Sequence, residues 1–178
     1  PHISYYVHND TLQPQSATLR VTLLHRDFTV LWQKEFSAFV PPLSVNKLYD
    51  ADFSGWFAHY DKRELVAQYE LVQQDEVISR GVTLFVKPKH FHLEKPVYRC
   101  RVEEADDCFL VTVSSNTFAH YVELDLEGAD AVFSDNYFDI TSSQGYTVTV
   151  AKNDLSAPMT AAQLEQKLTV KSVADSYE

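Results

Sequence analysis

The stretch ATLRVTLLHRD, residues 17–27, decides the fold class. Leu19, Val21 and Leu23 fall on one face, and Thr18, Arg20 and Thr22 on the other. An apolar period of two marks a strand with one face buried and the other wet. The same alternation runs outward in both directions. Upstream, Ile3, Tyr5 and Val7 share a face in ISYYVHND. Downstream, strand signals cover Phe28 to Phe36, Ser44 to Asp52, Leu65 to Gln73 and Ser79 to Val86. Turn chemistry at Gln13-Pro14, Arg26-Asp27, Pro41-Pro42 and Gln74-Asp75 separates them, at the short spacing of an antiparallel sandwich.

The segment KPKHFHLEKP, Lys87 to Pro96, interrupts this pattern. Proline cannot donate to a central ladder, so the segment reads as an edge or a linker. It places a domain boundary here, giving domains 1–87 and 88–178. The second half repeats the strand pattern at Val97 to Val102, Cys108 to Ser114, Ala119 to Leu126, Gly145 to Ala151 and Lys167 to Val173. One short helix fits TAAQLEQ, where Thr160 caps the first turn and Gln163 completes a capping box. The expected fold is all-β: two tandem immunoglobulin-like antiparallel β-sandwiches with one short helix near the C-terminus.

Composition agrees with strands. Of 178 residues, 45% are hydrophobic and 13% aromatic, which suffices for a packed core and argues against disorder. Glycine is scarce, whereas Tyr, Phe, Thr and Val are frequent. The net charge of -10 repels phosphate backbones, which argues against a nucleic-acid partner. No apolar run approaches the ~20 residues of a membrane-spanning helix, so no membrane partner is expected. The chain opens in mid-strand, with neither an initiator Met nor a leader pattern, and reads as part of something longer. The acidic balance suits a cytosolic or an exported protein equally; free cysteines would be tolerated in the cytoplasm, which is the expected location, with an extracellular one as the alternative. Asn9-Asp10-Thr11 is a glycosylation sequon of a kind that arises often by chance. Cys100 and Cys108 flank a hairpin turn at Glu104 to Asp107. A disulfide across the two strands is conceivable there, and strand neighbours strain such a bond.

FSDNYFDI, Phe133 to Ile140, sets Asp135 and Asp139 among aromatic rings. Paired carboxylates beside rings are what glycoside hydrolysis uses, provided one carboxyl is held in an apolar pocket and the pair flanks a bound sugar at ~5 to ~10 Å. Ser-Asp-Asn is also ordinary turn chemistry, in which Asx side chains bond the nearby backbone. The turn is the preferred reading, and no catalytic residue is assigned.

The same residues carry a resemblance. FSDNYFDI resembles the F-S-D-N-[FY]-F-D/H-L stretch of the C-terminal immunoglobulin-like domain of glycoside hydrolase family 2 β-mannosidases. FLVTVSSNTFAHYVEL, Phe109 to Leu124, and LTVKSVADSY, Leu168 to Tyr177, are similar to the strands on either side. YYVHNDTLQPQSATLRVTLL and TLFVKPK look like the preceding sandwich of those enzymes. Ser142 to Gly145 stand where the family often has Pro-Gly-Glu, and Ala174 where an aromatic is common. The resemblance implies non-catalytic accessory domains of an enzyme that removes terminal β-linked mannose with retention. In that family two glutamates on a (β/α)8 barrel do the chemistry. Such a barrel needs ~250 residues in an α/β pattern, which this chain does not have. The implied partner is then the catalytic barrel of the same polypeptide, and the parent enzyme can be a homodimer. No cofactor is implied.

Two rival readings come from residues alone. DFSGWFAHYDKREL, Asp52 to Leu65, clusters aromatics with polar neighbours, and Trp56 and Tyr60 are the candidates for stacking a mannooligosaccharide. Trp56 and Tyr60 also have helical spacing, which would bury one face of a short helical crossing. Trp32, in VLWQKEF, reads as core or sheet surface. His90 and His92 would point to one side of an extended segment, but two ligands fall short of the three or four that zinc takes, and no metal site is assigned.

Overall fold

A computed structural model of the chain describes residues 1–177, with side chains through Ser176. It contains two compact units, Pro1–His92 and Leu93–Glu178.

The first unit has six strands: β1 (His2–Asn9), β2 (Gln15–His25), β3 (Val30–Val40), β4 (Ser44–Asp52), β5 (Leu65–Gln73) and β6 (Glu76–Leu84). β1 pairs with β4, and the other four form a sheet in the order β3-β2-β5-β6. All pairs are antiparallel. The alternation in residues 17–27 does what its pattern predicts. Leu19, Val21 and Leu23 are buried together with Tyr5, Ala51, Phe53, Leu65 and Ala67. Full burial of one such aliphatic side chain contributes about 1.5–3 kcal/mol. On the outer face Arg20 bridges its cross-strand neighbours, with Nε 2.8 Å from Glu35 and Nη1 3.1 Å from Glu70.

The β2–β3 turn differs from expectation. Phe28 sits at φ 73° in the left-handed region, so the next strand begins at Val30 and not at Phe28. The turn closes through Phe28 N–H donating to His25 O (2.9 Å) and Thr29 N–H donating to Asp27 Oδ1 (2.9 Å). Residues 54–58 form a short 3-10 helix, and a second covers Pro88–His90. His90 and His92 therefore do not share one side of an extended segment. Residues 90–92 are tied to the first unit by Arg63 Nε donating to His90 O (2.7 Å), His92 N–H donating to Arg63 O (2.8 Å) and Arg26 Nη1 donating to His92 O (3.2 Å).

The described residues of the second unit form seven strands: β7 (Tyr98–Glu104), β8 (Cys108–Ser115), β9 (Ala119–Leu126), β10 (Ala131–Phe133), β11 (Phe138–Ile140), β12 (Tyr146–Leu155) and β13 (Leu168–Lys171). A sheet ordered β10-β12-β8-β7 faces one ordered β11-β9-β13. Phe109, Val111, Val113, Val148 and Val150 from the first and Val122, Leu124, Leu126, Phe138 and Ile140 from the second are all buried. The helix α1 (Ala161–Lys167) starts at the expected capping box, with Gln163 N–H donating to Thr160 Oγ1 and Thr160 N–H donating to Gln163 Oε1. It buries Leu164 fully, and Glu165 accepts from Val102 N–H (3.0 Å) on the edge strand β7. Lys167 closes the helix, so the last strand starts one residue later than its sequence pattern suggested.

Cys100 pairs across the sheet with Val113, and Cys108 with Ala151, so the two cysteines are not cross-strand neighbours and both thiols are free. Burial, followed by the nearby Glu165 carboxylate, pushes the Cys100 thiol up from its ordinary value.

Candidate functional site

Each carboxylate of FSDNYFDI is committed to local structure. Asp135 Oδ1 accepts from Asn136 N–H (2.8 Å), and its Oδ2 accepts from Tyr146 Oη (2.7 Å). Asp139 Oδ1 lies 2.6 Å from His120 Nδ1 and accepts from Tyr121 N–H at 3.2 Å. The second contact sits at a bulge. Phe138 pairs with Val122 and Ile140 with Ala119, so His120 and Tyr121 together oppose Asp139 alone. A bulge leaves one residue unpaired and re-aims its side chain. Tyr121 takes φ 52°, and its ring stacks on His120 at 3.8 Å.

Asn136 carries the turn between the two aspartates. Its Nδ2 donates to Leu124 O (3.0 Å), and its Oδ1 accepts from Leu124 N–H (2.8 Å). The side-chain amide thus takes the place of a strand residue beside β9. Tyr137 follows in the left-handed region at φ 62°, half out of the surface, and its hydroxyl donates to Glu123 Oε1 (3.1 Å). That bond raises the Tyr137 phenol above its ordinary value. Asp135, bonded through both oxygens, serves the bend, and Asp139, bonded through Oδ1, serves the bulge.

The aromatic cluster of residues 52–65 forms around the 3-10 helix Ser54–Ala58. Asp52 Oδ1 accepts from Ser54 N–H (2.9 Å) and starts it. Phe53 is buried, edge-on to Trp32 (5.8 Å) and Phe85 (5.5 Å), and Phe57 meets Phe85 at 5.2 Å. Trp56 is half-buried against the same core, with its ring 6.2 Å from that of Tyr60. Tyr60 lies past the end of the helix, 37% exposed and 6.3 Å from the His25 ring. The two sugar-binding candidates are thus neighbours, and Tyr60 is the more exposed of them.

Beside Tyr60 lies an ionic network that no sequence spacing signals. Glu64 receives His25 Nε2 (3.5 Å), Arg26 Nη2 (3.4 Å) and His92 Nδ1 (3.3 Å). His25 Nδ1 is 2.9 Å from Asp27 Oδ1. The Thr29 backbone N–H first, then His25, hold the Asp27 carboxyl down at about 2. The members come from the β2–β3 turn, the start of β5 and residue 92, so only the folded chain brings them together. Among the described residues no group of three or more His, Cys, Asp or Glu side chains is placed to hold a metal ion, and no helix is long and apolar enough to cross a membrane.

Asn9 of the sequon is likewise engaged. It is only 4% exposed; its Nδ2 donates to Gln13 O (2.8 Å), Val40 O (3.0 Å) and Pro41 O (3.1 Å), and its Oδ1 accepts from Thr11 N–H (3.0 Å) and Thr11 Oγ1 (2.8 Å). The amide that a glycan would modify is spent joining the ends of β1 and β3.

Comparison with known proteins adds the family. Residues 2–90 match the Mannosidase Ig/CBM-like domain, and residues 93–176 match the Ig-fold domain family named for mannosidases. Tyr177, which closes the resemblance seen in the sequence, has its side chain outside the described residues. No curated protein matches the chain. Among solved structures, the β-D-mannosidase of Dictyoglomus thermophilum superposes with a TM-score of 0.78 at 21% identity, over 97% of this chain and 20% of that one. The exo-chitosanase CsxA of Amycolatopsis orientalis gives a TM-score of 0.56 at 14% identity, over 95% of this chain and 24% of that one. The chain thus spans about a fifth to a quarter of the length of either enzyme. Two immunoglobulin-like sandwiches in the matching order, with no catalytic domain between or within them, place the chain in the mannosidase Ig/CBM-like and Ig-fold families of accessory domains.

Proposed function

We propose that this chain is the accessory, non-catalytic part of a retaining β-mannosidase of glycoside hydrolase family 2. Its partner is the catalytic barrel of the same polypeptide. The observation that carries the reading is the tandem match of both mannosidase-associated domains over 2–90 and 93–176. The engagement of Asp135 and Asp139 in turn and bulge bonds supports a scaffolding role. Rigid sandwiches of this kind suit packing against a barrel and supporting a dimer of the parent enzyme. The free thiols of Cys100 and Cys108 fit a reducing, cytoplasmic setting.

A second reading rests on Tyr60. Its partly exposed ring, next to Trp56 and His25 and followed in the chain by Asp61, combines a stacking face with polar side chains. Sugar-binding sites draw on that combination. An NMR titration of the labelled chain with β-1,4-mannobiose and mannohexaose, with cellobiose as control, separates the two readings. The scaffold reading expects no saturable shifts at millimolar sugar. Saturable mannose-specific shifts at the Trp56 indole, lost in Tyr60→Ala, overturn it in favour of a binding module.

A further inference from the structure

We draw no further inference here: the strongest candidate, the exposed apolar patch of Leu12, Phe39, Leu43 and Val45 at the end of the first unit where the turns after β1 and β3 meet, carries nothing because nothing in the structure shows what covers it.

Discussion

Asn9 gives the sharpest prediction, because one buried side chain makes five hydrogen bonds at the junction of β1, β3 and the following turn. Asn9→Ala removes all five. At a net ~0.5–1.5 kcal/mol each, with two amide hydrogens shared among three carbonyls, the loss is about 3 kcal/mol. Both tryptophans of the chain, Trp32 and Trp56, lie in the first unit, so urea unfolding followed by Trp fluorescence reports that unit alone. With a urea slope of about 1 kcal/mol per molar for a domain this small, the midpoint falls by about 2–3 M. Asn9→Asp keeps the acceptor bonds to Thr11 but turns a carboxylate oxygen toward three carbonyl oxygens. At pH 7 it is at least as damaging as the alanine variant. Its penalty eases as the pH falls and the carboxyl gains a proton to donate. A midpoint change below about 0.5 M for Asn9→Ala, or an Asn9→Asp variant as stable as the parent at pH 7, refutes the argument.

Other outcomes are equally definite. Asn136→Ala removes the surrogate strand pairing with Leu124 and costs the second unit about 2 kcal/mol, read as faster exchange of β9 amides with the first unit unchanged. Gly145→Ala costs on the order of 3 kcal/mol or more, because the new Cβ lies 2.2 Å from Val113 O at φ 81°; the melting temperature of the second unit reports it. The Asp27 carboxyl titrates at about 2 when folded and near 3.9 when unfolded, so its contribution is present above pH ~4 and is lost as the pH falls toward 2. Asp27→Ala therefore flattens the acid limb of first-unit stability between those values and lowers the neutral plateau only slightly, since the group is largely exposed.

What the sequence showed and hid follows from how local each signal is. The strand alternation around Leu19, Val21 and Leu23 and the capping box at Thr160 depend on neighbours within a few residues, and both are legible. β10 and β11 were not legible, because three residues are too few to express a period of two. On its β11 side Leu124 moreover meets the side-chain amide of Asn136 and not a backbone. Phe28 looked like the first residue of a strand by its type, and its left-handed conformation is imposed by the Asp27–Thr29 turn. The burial of Asn9 and the convergence of His25, Arg26 and His92 on Glu64 depend on contacts between residues dozens of positions apart.

The chemistry of the proposed enzyme is expected to lie outside this chain. The decisive assay incubates the purified 178-residue chain with 4-nitrophenyl β-D-mannopyranoside across pH 4 to 8 and follows nitrophenol release. The expected rate is indistinguishable from buffer. Reproducible turnover that disappears in Asp135→Asn or Asp139→Asn would contradict it and return the two aspartates to an active site.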